Sequence, residues 1–404
     1  MDVTAHHLAA PGELVAYDLP PGPHWVQILV AHLESGASFL PLDQRLTAPE
    51  KRRVLNRAAP TVVVRPGGED LYAPTARPSD PDRDWAVAAT SGSTGEPKLA
   101  ELSRGALGAA VGGSLEALGI AADEPWVACL TPAHVGGLLV YLRAAVGGAP
   151  LTFLERFDPG ELVSGAPPGA HVALVPTMLH RLVQARADLS RLGVLLAGGG
   201  RLDPALRVAA GGLGGRVVST YGLTETAGGV VYDGVPFEGT AVRLAEDGAI
   251  EVRGPTLLSG YRGDPEATAA AFTLDGWLRT ADTGALDPAG GLRVLGRTDD
   301  AIRTGAETVW PDEVEAVLRT HPKVADVAVA GGPDAEWGEH VTAWVVAVDP
   351  SDPPTLDALR EHCRDALARH KAPRELRSTD AIPRTPGGKL RRDQLRGWAT
   401  GIDE

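Results

Sequence analysis

The sequence predicts an α/β protein: a large N-terminal domain of α/β sheets plus a β-rich subdomain, followed by a small α+β C-terminal domain. Three observations predict this. The 404 residues exceed what one compact core usually serves, so more than one domain is expected. Up to about residue 240, short apolar runs alternate with helix-like stretches, the pattern of a sheet covered by helices. Beyond that point the runs come close together with turn residues between them, as in antiparallel sheets.

Taken in order, Ala48–Ala58 reads as a helix and Thr61–Val64 as a strand. Trp85–Ala89 is an apolar run that ends in a Gly/Ser/Thr loop, and a helix opens near Ser103. His171–Val175, Gly193–Ala197 and Arg216–Ser219 are further strands, with Met178–Ala187 a helix between the first two. Ala241–Leu244, Ala249–Val252 and Leu292–Leu295 form the β-rich part. Pro311–Thr320 is a helix with acids in its first turn, Val324–Val329 and Val341–Val348 are strands, and Leu356–His370 is an amphipathic helix. The domains are expected at 1–298 and 299–404.

Charge and composition exclude several functions. The 38 basic and 52 acidic residues leave a net charge of −14, which argues against nucleic acid or an anionic membrane as the main partner. Five of the 38 basic residues are lysines (Lys51, Lys98, Lys323, Lys371 and Lys389), so chemistry that needs a lysine has few candidates. Two cysteines, Cys129 and Cys363, exclude a disulfide scaffold or a cysteine-based zinc module and read as inert packing residues. No signal peptide is visible, and the longest apolar stretch, around Gly136–Leu154, is broken by Arg143 and too short to span a bilayer. A reduced, cytoplasmic protein is expected.

The segment with the strongest chemical signal is Thr90-Ser91-Gly92-Ser93-Thr94-Gly95-Glu96-Pro97-Lys98. It lies between a strand and a helix, its glycines let backbone N–H groups turn toward an anion, and its lysine adds a point charge. It lacks the spacing of a Walker loop. Alone it would read as a Ser/Gly surface loop. Four more segments follow: Tyr221-Gly222-Leu223-Thr224-Glu225-Thr226, Gly276–Gly284 around Asp282, Gly296-Arg297-Thr298-Asp299-Asp300 through Gly305, and Pro383–Lys389.

In this order the five segments resemble the core motifs of the adenylate-forming superfamily of acyl- and aryl-CoA ligases, carrier-loading adenylation domains and luciferases. The resemblance covers nearly the whole chain. It implies that a carboxylate attacks the α-phosphate of ATP to give an acyl-adenylate and pyrophosphate, and that a thiol, coenzyme A, then displaces AMP. It assigns Thr90, Ser91, Gly92, Ser93, Thr94, Gly95 and Lys98 to the β- and γ-phosphates. Thr224 would bond a phosphate oxygen and Glu225 would hold Mg²⁺, a hard cation suited to oxygen ligands. Tyr221 and Gly222 would meet adenine on one side, with Gly198, Gly199 and Gly200 on another. Asp282 would accept from the ribose hydroxyls, and Arg297 would reach the nucleotide. Lys389 would stabilise charge on the oxygen bridging carboxylate and phosphate. Asp299 corresponds to the hinge of a mobile C-terminal domain. Taken singly, Asp282 and Glu225 read as turn or cap carboxylates and Lys389 as a solvated tail residue among arginines; only the joint pattern outweighs this. The sequence departs from the family pattern at Leu99, where glycine is common, and at Arg303, where lysine is common. The region before the phosphate loop is short, which implies a trimmed N-terminal layer.

The carboxylic acid is less legible. Leu130–Leu138 resembles the family's acyl-pocket motif, in which His134 would gate the carboxylate; a partly buried structural histidine is the alternative. Arg143 interrupts an apolar helix, and its fork suits a second carboxylate. Thr226–Pro236 looks like actinobacterial o-succinylbenzoate–CoA ligases of menaquinone synthesis, which implies that Arg143 or the loop containing Thr226 and Gly228 holds the distal carboxylate of 2-succinylbenzoate. Another aryl- or acyl-CoA ligase, a stand-alone adenylation enzyme that loads a carrier protein, and an inactive nucleotide- or acyl-binding protein are the alternatives. The expected partners are small molecules, with no nucleic acid and no membrane span; a homodimer is left open.

Overall fold

The computed structural model describes residues 10–71, 79–90, 97–305, 307–384 and 390–400. The chain folds into two compact units. The first comprises Met1–Arg243, Glu251–Arg279 and Gly290–Leu292; the second comprises Leu244–Ile250, Thr280–Ala289 and Arg293–Glu404.

The first unit opens with β1 (Leu14–Tyr17), α1 (His24–Ser35), β2 (Ser38–Pro41), α2 (Ala48–Ala58), β3 (Val62–Arg65), β4 (Gly68–Leu71), α3 (Pro81–Asp84), β5 (Ala86–Thr90) and β6 (Lys98–Leu102). Thr47 caps α2 in a reciprocal capping box with Glu50, and Pro49 sits in the first turn, where its missing N–H costs nothing. The chain continues with α4 (Arg104–Leu118), β7 (Trp126–Ala128), α5 (Val135–Gly147), β8 (Leu151–Phe153), α6 (Pro159–Gly165), β9 (His171–Leu174), α7 (Pro176–Gln184), β10 (Val194–Ala197), α8 (Pro204–Gly212), β11 (Arg216–Leu223), β12 (Gly228–Tyr232) and β13 (Val235–Pro236). After β14 (Ala241–Leu244) and β15 (Ala249–Arg253), β16 (Gly260–Tyr261) returns to the first sheet, and α9 (Pro265–Ala271) follows.

Two seven-stranded sheets result, ordered β16-β6-β5-β2-β1-β3-β4 and β13-β12-β11-β10-β9-β7-β8. Their centres are parallel; the first sheet is antiparallel at both edges, and the second is antiparallel at its β12–β13 edge and parallel through β8 at the other. Parallel strands are buried on both faces, which is why β1 and β10 are apolar throughout, and β3 and β9 are apolar but for Arg65 at the end of one and His171 at the start of the other. Helix α5 packs on α1 and on α4, and α4 and α5 also lie against the second sheet; Trp85, just before β5, donates to the α1 carbonyl of His32. On its other face the second sheet buries Leu162, Leu179 and Leu182 of α6 and α7. This layering is the predicted α/β architecture.

The four-stranded sheet β14-β15-β17-β18, with β17 (Leu278–Leu286) and β18 (Leu292–Arg297), is the predicted β-rich part; the division into units runs through its strands. The second unit adds β19 (Ile302–Thr304), β20 (Glu307–Val309), α10 (Pro311–Leu318), β21 (Val324–Asp334), β22 (Gly338–Ala347), α11 (Leu356–Cys363), β23 (Glu375–Ser378) and α12 (Arg392–Thr400). Its sheet runs β20-β19-β22-β21, with β23 parallel to β22. Arg392 ties the start of α12 to the rest: it donates to Asp300 (3.3 Å), Asp312 (2.5 Å) and Glu315 (2.7 Å). Helix α11 is shorter than expected. The N–H groups of Ala366 and Leu367 both close on the Cys363 carbonyl, and Leu367 packs on the core from this turn. Apolar spacing therefore continues past the end of the helix.

Candidate active site

The strand–loop–strand that carries the glycine-rich segment is a hairpin of the first sheet. Thr90 ends β5 and stands opposite Lys98, the first residue of β6. Ser91, Gly92, Ser93, Thr94 and Gly95 lie outside the described residues, as does Lys389. The Lys98 ammonium sits 5.0 Å from the centre of the Tyr261 ring. Tyr261 is held by three neighbours: β16 pairs with β6 opposite Ala100, its own N–H donates to Thr268 Oγ1 (2.8 Å), and the next residue, Arg262, is buried against Asp84 (2.5 Å).

Tyr261 also reaches the second motif. Its hydroxyl donates to Glu225 Oε1 at 2.9 Å, while the Glu225 carbonyl accepts from Leu258 N–H (2.8 Å). Burial, then the Glu225 charge, pushes the Tyr261 phenol well above its ordinary range, so it stays a donor. Thr224, Glu225 and Thr226 form a 3₁₀ turn after β11. Thr226 is fully buried, and its hydroxyl is used within the turn, accepting from Leu223 N–H (2.8 Å) and donating to the Gly228 carbonyl (2.7 Å).

Strand β11 runs on through Tyr221, Gly222 and Leu223, past the expected end at Ser219, because it pairs with β12 across a bulge between Tyr221 and Gly222. A side chain at Gly222 would collide with the Gly228 carbonyl, and one at Gly228 would come within 2.6 Å of Leu139. Gly198, Gly199 and Gly200 follow β10, where Gly198 N–H donates to the Leu174 carbonyl (3.0 Å).

His134 stands exposed at the N-cap of α5, and its Nε2 meets Asp43 Oδ2 (3.1 Å) and Arg45 Nη2 (2.7 Å). Arg45 grips the same carboxylate through Nε (2.9 Å) and Nη2 (2.7 Å). Burial raises the Asp43 pKa, but the bonds from His134 and Arg45 outweigh it and hold the carboxyl well below the usual range. Arg143, also on α5, is 2% exposed: Nη2 donates to Ser114 Oγ (2.5 Å), and the guanidinium lies 4.3 Å from the Trp126 ring centre. Burial lowers its pKa to about 10, against the pull of Tyr232. No carboxylate pairs with it among the described residues. The Cys129 thiol, pushed up to about 12 by burial, is unreactive.

In the second unit Asp282 is buried on β17; its N–H donates to Thr280 Oγ1 (3.2 Å), which donates to the Ile250 carbonyl (2.8 Å). Arg297 ends β18, and Asp299 is exposed in the 3₁₀ turn that follows. The structure thus brings Lys98 and Glu225 together, and separately collects His134 with Asp43 and Arg45. Tyr261, Asp43 and Arg45 were not read from the sequence. The available signals were the Gly-Tyr pair at 260–261 and the charged Asp43-Gln44-Arg45 after an apolar strand.

Residues 68–262 match the family model described as AMP-binding enzyme, and residues 313–389 match AMP-binding enzyme C-terminal domain. The chain is 38% identical to a probable 2-succinylbenzoate–CoA ligase of Mycobacterium tuberculosis, over 87% of this chain and 94% of that protein. A feruloyl-CoA synthase of Amycolatopsis is 34% identical, over 96% and 89%. The fold superposes on o-succinylbenzoate CoA synthetase from Bacillus subtilis, solved with the acyl-adenylate intermediate OSB-AMP, with a TM-score of 0.85 at 25% identity, covering 96% of this chain and 89% of that one. ATP-bound MatB from Rhodopseudomonas palustris superposes with a TM-score of 0.86 at 25% identity, over 98% and 90%. The chain belongs to the AMP-binding enzyme family, the adenylate-forming acyl- and aryl-CoA ligases.

Proposed function

We propose that this protein is an ATP-dependent 2-succinylbenzoate–CoA ligase of menaquinone synthesis, working in the cytoplasm. The observation that carries the reading is the 38% identity to a probable 2-succinylbenzoate–CoA ligase, over 94% of that relative's length. The site geometry supports the chemistry. Adenylation joins two anions, so catalysis needs cations and oxygen ligands that neutralise charge on the transferred phosphoryl group. Lys98 supplies a cation at the end of the glycine-rich loop. Glu225 fits Mg²⁺: it is a half-buried hard-oxygen ligand with one oxygen engaged by Tyr261 and the other available among the described residues. When bound there, Mg²⁺ would neutralise phosphate charge. Thr224 would donate to a phosphate oxygen, Tyr221 would face adenine beside Gly198–Gly200, and Asp282 would accept from the ribose.

His134, fixed by Asp43 and Arg45, would direct the reacting carboxylate, and Arg143 or the Thr226–Gly228 loop would address the distal one. Lys389 would donate to the bridging oxygen, delivered by rotation about Asp299. Coenzyme A then displaces AMP.

Pyrophosphate release with ATP, coenzyme A and 2-succinylbenzoate tests the assignment, with the succinylbenzoyl thioester as product. Release with ferulate, benzoates or fatty acids but none with 2-succinylbenzoate overturns it. The feruloyl-CoA synthase relative favours ferulate as the second reading. Lys389→Ala is expected to lower the adenylation rate at least about 100-fold while leaving ATP binding within about twofold, as befits a group that acts in the transition state. Single-turnover adenylation and calorimetric ATP titration read the two quantities, and undiminished adenylation would remove Lys389 from the mechanism.

A further inference from the structure

Tyr261 lies between two groups that approach the phosphates from different parts of the chain. Its ring carries the Lys98 ammonium at 5.0 Å, and its hydroxyl donates to Glu225 Oε1 at 2.9 Å. The residue is 8% exposed and cannot swing freely: Thr268 Oγ1 accepts from its N–H, and β16 pairs with β6 through Gly260 and Tyr261. A lysine on a four-carbon stem and a glutamate in a single-turn helix are both loose by themselves. The aromatic face attracts the ammonium, and the phenolic O–H holds one carboxylate oxygen in place.

We infer that Tyr261 is a positioning residue for the nucleotide, seating Lys98 through its ring and aiming the second Glu225 oxygen at the divalent cation through its hydroxyl. The inference rests on the reading of Lys98 and Glu225 as phosphate and Mg²⁺ ligands. The two halves of the role separate chemically. Phenylalanine keeps the ring and loses the hydroxyl; leucine loses both.

The experiment is calorimetric titration of the full chain with ATP, once with Mg²⁺ and once with EDTA, alongside thermal melting. Tyr261→Phe should bind metal-free ATP like the parent but lose about 10-fold of the tightening that Mg²⁺ brings, the worth of a hydrogen bond to a charged group. Tyr261→Leu should also weaken metal-free binding by about 3-fold, the worth of an exposed cation–π contact. Equal weakening with and without Mg²⁺, together with a lower melting temperature, marks a purely structural residue and overturns the inference. Tyr261→Phe matching the parent in both titrations overturns it too, while leaving the ligase reading intact. A parent that shows no Mg²⁺-dependent ATP binding overturns the ligase reading itself, and the inference with it.

Discussion

Asp43 faces a histidine and an arginine at once, and His134 Nε2 has contact with both of its neighbours. The carboxylate is held ionised well below its ordinary range, so at neutral pH it is a fixed anion that fixes the imidazole in turn. Asp43→Asn keeps the shape but removes the charge. It should lower kcat/KM for the carboxylic acid roughly 10-fold, the cost of releasing a positioned group, with KM for ATP unchanged. Steady-state kinetics with each substrate varied in turn reads the split; an equal rise in both KM values would mean that Asp43 shapes the fold rather than the acyl site. At this scale the sequence was legible where one residue does one job within a motif. Lys98 and Glu225 stood out by their neighbours in the chain. Tyr261, Asp43 and Arg45 did not, because each gains its role from a partner on another element, and nothing in local spacing encodes that partner. Arg143 illustrates the converse. Its oddity inside an apolar helix was visible, but its contacts with Trp126 and Ser114 are set by the packing of β7, α4 and α5.

Elements were legible through period and punctuation. Helix α2 begins at its capping box, and β1, β3, β9 and β10 are buried strands that carry no polar face. What escaped was where elements stop. Helix α11 ends at Cys363 although the apolar spacing runs on to Leu367, and β11 continues to Leu223 because β12 supplies a bulged partner. That extension carries Tyr221 and Gly222 on the strand and places Thr224 and Glu225 just beyond its end. It depends on the close approach of two backbones at Gly222 and Gly228. A methyl at Gly222 meets backbone, which cannot rotate away as a side chain can. Gly222→Ala should therefore cost about 3 kcal/mol and weaken ATP binding through the displaced turn. Urea denaturation with calorimetry checks this, and a parental midpoint would show that the β11–β12 bulge yields more easily than its geometry implies.

At the scale of the whole molecule a net charge of −14 is compatible with anionic substrates, because positive charge can be concentrated locally. The response to acid is set elsewhere, in buried histidines. His32, on α1 under the first sheet, donates from Nδ1 to the Ala37 carbonyl (2.9 Å), which can only accept; in the neutral ring its Nε2 accepts from the Tyr17 hydroxyl (2.7 Å). With the ring neutral, as burial dictates, the proton therefore sits on Nδ1. Burial pulls its pKa down to about 4, against the Ala37 bond, which acts the other way. The unfolded chain takes up a proton near pH 6.5 while the folded chain refuses it, so stability is full above that value and falls as pH drops toward 4. The shift is worth about 3 kcal/mol across that window. Asp43, whose pKa is depressed, contributes above the ordinary carboxylate range and is lost only at lower pH, so the two effects occupy separate windows. His171 acts in the same direction as His32: burial lowers its pKa, and its Nδ1 accepts from the Val194 N–H at 2.9 Å. Denaturant midpoints of the parent should fall steadily between pH 7 and pH 4.5. In His32→Gln, which carries no titrating ring, the midpoint at pH 7.5 should be lower and the fall across the window shallower. A parent whose midpoint stays level over that range would mean that the buried imidazole is protonated in the folded state, and that the tautomer fixed by Ala37 and Tyr17 is not the one that persists in solution.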